Sequence, residues 1–298
     1  MFFASSSIEV GPSRMDLWLG VGRNARVYAA QRSGLAADTH LLPAARCSAR
    51  AVSVLWILLE GEATFEHEGR VTRMQAPSVA IIPESWREGA NGERLVRIRM
   101  GVDCASVQVL FRAATDTIQP LHMPPQQLAE VAALHREIMG ASEEHGFALL
   151  RALLRRLVTF GLVPPTVFDD DRDGMYTSPT FARVWRSMRR RIAAFDVNPS
   201  IKTIAAEAEL SSRHAHRIAN VLFDECLMPP GGFRGAMVNL RLTLASILLS
   251  KSSLQVLDIA RIVGYQNPET LTRALRHTGL PAPLEIRRSH SSAPAAFA

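Results

Sequence analysis

The sequence predicts an α+β chain of more than one domain: a strand-rich barrel, a helical hairpin, and then an all-α domain carrying two helix-turn-helix units joined by a linker helix. Three observations predict it. Short Val- and Ile-rich runs, broken by Gly and Pro, fill residues 25–113, the spacing of a small β-barrel or sandwich. From residue 125 onward the apolar positions recur at three- and four-residue steps, the period of an amphipathic helix. The charge then reverses: residues 1–176 hold 18 Arg and no Lys against 20 acidic side chains, whereas residues 177–298 hold 16 basic side chains against 8 acidic ones.

Composition sets the outer bounds. With 298 residues, 47% hydrophobic and 21% charged, the chain has ordinary globular composition and length for about two domains. Its three cysteines, Cys47, Cys104 and Cys226, are odd in number and far apart, which excludes a disulfide framework and any CxxC metal site. The greasiest stretch, residues 147–163, carries Arg151, Arg155 and Arg156, so it does not read as a membrane span. No basic segment precedes an apolar one at the N-terminus. The expectation is a soluble, cytoplasmic protein.

In the front region, VSVLWILLEGEATFEHEG reads as two strands joined by a hairpin at Glu60-Gly61, with Phe65 and His67 on one face of the second. VTRM, APSVAIIPES and RLVRIRMGV supply further strands. Trp56, Leu58, Phe65, Ile82 and Trp86 are placed to line a barrel mouth, with Arg97 or Arg99 to hold an anionic group; the alternative is that they fill the barrel. A metal site needs two or three His with a carboxylate. His40, His67, Glu62 and Glu66 are present without an HxH pair, so no metal, cofactor or catalytic residue is expected, and the chain is read as no enzyme.

Residues 125–163 predict two helices around a polar loop, GASEEHG. Leu128, Val131, Leu134 and Ile138 form one stripe; Leu149, Leu150, Leu153, Leu154, Leu157 and Val158 form a denser one. Either both stripes pack inside the chain or one is a dimer seam. FDDDRDGMYTSP, residues 168–179, separates the two charge regimes and reads as a linker.

The rear region opens with a helix that places Phe181, Trp185, Met188, Ile192 and Phe195 on one stripe, ringed by Arg183, Arg186, Arg189, Arg190 and Arg191. NPSIKTIAAEAELSSRHAHRIANVLF then predicts helix, turn, helix. Ile201, Ile204, Ala205 and Leu210 are positioned to bury, and Ser211 caps the second helix. The pattern recurs in SSLQVLDIARIVGYQNPETLTRALRHTG. There Gly264 ends a short helix in a left-handed conformation, Asn267 caps the next with Pro268 at its first position, and Leu271, Ala274 and Leu275 face inward. Between the units, AMVNLRLTLASILLS predicts a linker helix with Leu240, Leu244, Ile247 and Leu248 on one side.

These residues carry a resemblance. IARIVGYQNPETLTRALRHTGLPAPLEIRR is similar to the second helix-turn-helix signature of the AraC/XylS family of transcription regulators, through Ile259-Ala260, Val263-Gly264-Tyr265, Leu271, Arg273, Gly279 and residues 283–287. NLRLTLASILL resembles that family's linker helix at Arg241, Leu242, Ala245 and Leu248-Leu249. The first unit resembles it through Ile204-Ala205, Ser211 and Arg217, and the EGE and PxxVxxIP elements of the front resemble its cupin-like sensor domain. Departures fall at Ala215 and Ala219, where bulky apolar residues are usual, at Glu209, where a small turn residue is usual, at Leu275, where an aromatic is usual, and in a longer segment between Arg217 and Arg241.

The resemblance implies a sequence-specific DNA-binding regulator, an activator, with Ser211, Ser212, Arg213, His216 and Arg217 facing the groove from the first unit and Asn267, Glu269, Thr270, Arg273 and Arg276 from the second. It implies double-stranded DNA as partner, with RNA polymerase, a small-molecule effector and a second copy in a homodimer as further partners. The expected organisation is a cupin-like sensor domain at 1–123, a helical hairpin at 124–167 that is a candidate dimerisation element, a linker at 168–179, a double helix-turn-helix domain at 180–290 and a disordered tail at 291–298. The rival is a cupin-type metal-dependent enzyme with an appended nucleic-acid-binding domain.

Overall fold

The computed structural model describes residues 2–10, 13–21, 25–34, 37–38, 52–67, 70–83, 96–113, 118–171, 178–193, 200–225, 232–251, 253–278 and 280–291. Eleven strands are β1 (Phe2–Val10), β2 (Ser13–Val21), β3 (Ala25–Ser33), β4 (Ala37–Asp38), β5 (Val52–Glu60), β6 (Glu62–His67), β7 (Arg70–Gln75), β8 (Ser78–Pro83), β9 (Val96–Met100), β10 (Cys104–Arg112) and β11 (Gln119–Leu121). They form two antiparallel sheets, one ordered β1-β2-β3-β10-β5-β8-β11 and the other β4-β9-β6-β7.

The larger sheet is buried on both faces over its middle. Trp56, Leu58, Ala80, Ile82 and Cys104 point toward the smaller sheet and pack with its Ala63, Phe65, Met74 and Met100. The alternate residues Leu55, Ile57, Val79, Val107 and Val109 point the other way, into a second cluster. That double burial is why β5 reads as a nearly unbroken apolar run rather than an alternating one. Burial pushes the Cys104 thiol up, with Arg32 opposing. Cys47 and Cys226 lie outside the described residues.

The second cluster is completed by α1 (Pro125–Gly140) and α2 (Glu143–Thr159). Val131 and Ile138 of α1 and Leu150, Leu153, Leu154 and Leu157 of α2 are buried there together, so both stripes pack inside the chain. Ser142 and the acidic first turn Glu143-Glu144 start α2, where negative charge offsets the helix dipole. The helix therefore takes in part of the segment expected as loop. Gly146 of α2 is a close-approach position: a Cβ there would lie 2.4 Å from the Trp18 ring of β2.

Two sequence expectations for the front region are corrected. Glu60-Gly61 does not close a hairpin, because β5 pairs with β10 and β8 while β6 pairs with β7 and β9. Gly61, with φ +80°, turns a corner from one sheet to the other; a Cβ there would meet the Asp103 carbonyl oxygen at 2.0 Å. The strand-rich region also begins earlier than residue 25, since β1 and β2 pair along their whole length. In β2 the apolar Met15, Leu17, Leu19 and Val21 alternate with Asp16, Trp18 and Gly20, a period-two signal ahead of residue 25.

The rear region comprises α3 (Pro179–Ala193), α4 (Ile201–Glu207), α5 (Ser212–Glu225), α6 (Gly232–Lys251), α7 (Val256–Ile262), α8 (Pro268–His277) and α9 (Pro283–Ser291). The linker helix α6 was expected to bury one side only. Instead Leu242, Leu244, Ala245, Ser246, Ile247, Leu248 and Leu249 are all buried: its first turns join Phe233 and Met237 to the α3–α5 cluster, and its later turns serve the α7–α9 cluster. Residues 172–177 of the expected linker and 292–298 of the expected tail lie outside the described residues.

The two helix-turn-helix turns share one geometry. Leu210 N–H donates to the Ala205 carbonyl (2.9 Å) and Tyr265 N–H to that of Ala260 (2.7 Å), each one bond of a helix C-terminal motif that needs a left-handed residue before it. Gly264 holds that place in the second turn at φ +83°, and Glu209 holds it in the first at φ +56°. Glu209 is an expensive occupant, offset in part by its exposed ion pair with Arg183 (3.1 Å).

Two predictions follow from these placements. Glu209→Gly should stabilise the protein by about 0.5–1 kcal/mol, since relief of left-handed strain outweighs an exposed ion pair, whereas Glu209→Ala should destabilise it; denaturant melts of both variants check this. His135 of α1 is buried and donates from Nε2 to the Ala30 carbonyl of β3 (3.0 Å), and burial lowers its pKa below the ordinary 6.5, with the Ala30 bond and the Glu60 charge opposing. The unfolded chain therefore binds the proton more readily, so stability should fall as the pH drops below about 6.5. In thermal melts from pH 7 to pH 5, His135→Gln should show a shallower loss than the parent.

Candidate nucleic-acid interface

Each helix-turn-helix fixes its second helix by the same means. Ser200 Oγ accepts from the Thr203 N–H to start α4, and Ser211 Oγ accepts from the His214 N–H (3.3 Å) to start α5. In the second unit Asn267 Oδ1 accepts from both the N–H and the hydroxyl of Thr270 (2.8 Å each), and Pro268 takes the first helical position of α8. Such caps contribute about 1 kcal/mol each. They also bring the outward side chains of the first turn into register.

Burial divides each second helix cleanly. On α5, Ala215, Ile218, Ala219 and Leu222 face inward, while Ser212, Arg213, His216, Arg217 and Asn220 are exposed, as is the capping Ser211. On α8, Leu271 and Leu275 are fully buried, while Glu269, Thr270, Arg273 and Arg276 are exposed beside the capping Asn267. The structure thus places all ten rear positions singled out in the sequence on the open faces of α5 and α8 or at their caps. Sequence reasoning missed Asn220, whose side-chain amide donates to His216 Nδ1 (3.3 Å); its signal was its place one helical turn beyond His216.

Some of the described arginines are held by acids. Arg14 is bound to Asp16, Arg156 to Glu130 and Arg183 to Glu209. Among the described residues no carboxylate holds Arg213, Arg217, Arg273 or Arg276, so each presents its guanidinium to solvent. Such groups offer planar, paired donors that match a phosphate or the O6/N7 edge of guanine.

Behind α8, Arg241 of α6 is buried with its guanidinium carbon 5.9 Å from the centre of the Tyr265 ring. Burial pushes the Tyr265 phenol up and Arg241 opposes it. Thr278 N–H and hydroxyl bond back to the last carbonyls of α8, and Arg287 of α9 donates to the Leu254 carbonyl ahead of α7. In α9, Glu285 accepts from the Ala282 N–H (2.9 Å) while Ile286 enters the core.

In the barrel, Trp56, Phe65 and Ile82 are buried in the cluster between the sheets, Trp56 and Phe65 meeting edge to face at 5.3 Å. They fill the interior rather than line an open mouth. Trp56 is 4% exposed, and among the described residues its Nε1–H has no hydrogen-bond partner. Trp86 and His40 lie outside the described residues, as do the side chains of Arg97, Arg99, Glu66 and His67. Among the described residues no group of three His, Cys, Asp or Glu comes together, and no helix is long and apolar enough to cross a membrane.

No protein-family model matches the chain, and no curated protein matches it. Among solved structures, the chain is similar to apo ToxT from Vibrio cholerae strain SCE256 at 11% identity and a TM-score of 0.37, over 89% of this chain and 96% of that one. It is similar to the AraC-like transcriptional activator CuxR at 14% identity and a TM-score of 0.30, over 71% and 74%. A third likeness, to KdgF from Halomonas sp., has 10% identity and a TM-score of 0.25, over 37% of this chain and 89% of that one. These are likenesses at low identity.

Proposed function

We propose that the chain is a sequence-specific DNA-binding transcription regulator of the AraC/XylS type. The observation that carries the reading is the pair of capped helices, α5 and α8, each with its inner face buried and uncommitted guanidinia on its outer face. Both are mounted on one buried rod, α6. A helix so held can insert its N-terminal half into a major groove, and two on one rod suit successive grooves on one side of the duplex. Arg213 and Arg273 read bases, a bidentate contact discriminating by roughly 1–3 kcal/mol; Glu269 accepts from cytosine, and Ser211, Ser212, Thr270 and Asn267 steady the phosphates at the helix starts.

Sensing of a small molecule by the front domain belongs to the same proposal, as does action as an activator that contacts RNA polymerase in the cytoplasm. A homodimer built through the hairpin would have to use the charged outer face of α2, because its leucines are spent inside the chain.

Selection from a random duplex pool with the full chain tests this. A two-part site should emerge, its halves about one helical turn apart, bound at least about a thousandfold more tightly than unrelated DNA and with steep salt dependence. Arg273→Ala should relax selectivity at one position, whereas Arg186→Ala on α3 should weaken all sequences alike. Recovery of no preferred sequence would overturn the proposal.

A further inference from the structure

Trp18 and Leu19 are neighbours on β2 and so project to opposite faces of the larger sheet. Trp18 turns toward the hairpin, where it lies over Gly146 and meets Phe147 edge to face at 5.6 Å. Leu19 turns the other way. It packs against the core of the first helix-turn-helix, the cluster formed by Val184, Trp185 and Met188 of α3 with residues of α4, α5 and α6. One strand thus joins two hydrophobic cores that belong to different halves of the chain.

The second helix-turn-helix has no such guest. Among the described residues its cluster draws only on positions from 238 onward. The second helices contribute Ala215, Ile218, Ala219 and Leu222 to the first core and Leu271 and Leu275 to the second. Only the first core also takes in a side chain from the sheet among the described residues.

Leu19 also belongs to a row of opposed residues that crosses the sheet: Ala4, Leu19, Tyr28, Gln108, Trp56 and Ala80. Directly opposed residues share a face. The row therefore includes both Trp56 of the barrel interior and the contact with the first helix-turn-helix.

We propose that β2 is a two-sided coupling strand, in which Leu19 completes the core of the first helix-turn-helix, so that the order of α5 depends on the barrel while that of α8 does not. Only the consequence for DNA rests on the proposed function; the coupling itself does not.

Hydrogen exchange of the full chain, parent against Leu19→Ala and Leu19→Asp, tests the coupling. Peptides from α3 and α5 should exchange about tenfold faster in the variants, with α7, α8 and the barrel strands β5 and β10 unchanged. Unchanged exchange in α3 and α5 overturns the proposal. So does equal acceleration of β5, β10 and the helices in both variants, which would make Leu19 a barrel residue only. On DNA selected by the parent, Leu19→Ala should keep protection of the half-site read by α8 and lose that read by α5. If no DNA is selected, the exchange result stands by itself and the function alone fails.

Discussion

The rear half of the molecule depends on the burial of α6 against two cores at once. A helix with one apolar stripe can cover one core; α6 has to serve two, and so it needs apolar residues all round. Phe233 and Met237 close the first cluster, and Leu242, Leu244, Ala245, Leu248 and Leu249 close the second. Each helix-turn-helix buries its inner face against a different stretch of this helix, which sets their spacing through a rigid element rather than a flexible loop. The cost is that the polar groups of α6 need internal answers. Ser246 Oγ donates to the Leu242 carbonyl (2.8 Å), and Arg241 lies against the Tyr265 ring.

That arrangement decides where charge is left over. Some arginines of the described surface are paired with acids nearby in sequence or space, as with Arg14 and Asp16 or Arg156 and Glu130. The first turns of α5 and α8 lack such neighbours, apart from Glu269, which serves the positive N-terminus of α8. An exposed ion pair contributes little to stability, so leaving Arg213, Arg217, Arg273 and Arg276 unpaired costs the fold almost nothing while keeping their donors free. The same surface arginines would be unremarkable on a helix without a cap and a buried inner face to aim them.

Much of this was legible in the sequence, for local reasons. Ser211, Asn267-Pro268 and Gly264 are signals whose meaning depends on a few bonds within four or five residues, and all three do in the structure what their chemistry dictates. The three- and four-residue periods of α1, α2 and α8 likewise named buried positions. What was not legible depended on partners distant in sequence. Glu60-Gly61 has the composition of a hairpin turn, yet whether strands on either side of a glycine pair or diverge is settled by β10 and β9, some 40 residues away in the chain. The hairpin's leucines looked equally fit for a dimer or for a sheet, because periodicity shows that a face is buried and not what buries it. Trp56 and Phe65 looked equally fit for a pocket mouth or a core, and their edge-to-face packing between the sheets fills the space.

The departures in the first helix-turn-helix converge on one physical picture. Its turn holds Glu209 in a left-handed conformation that the second turn gives to Gly264. Its core borrows Leu19 from the barrel sheet. Strain in the turn lowers the free energy that holds α5 in place, while the borrowed leucine makes what remains depend on the other half of the chain. The second unit has a relaxed turn, a double cap at Asn267 and a core of its own. In this molecule α7–α8 is the self-contained unit, and α4–α5 is the one that leans on the barrel sheet.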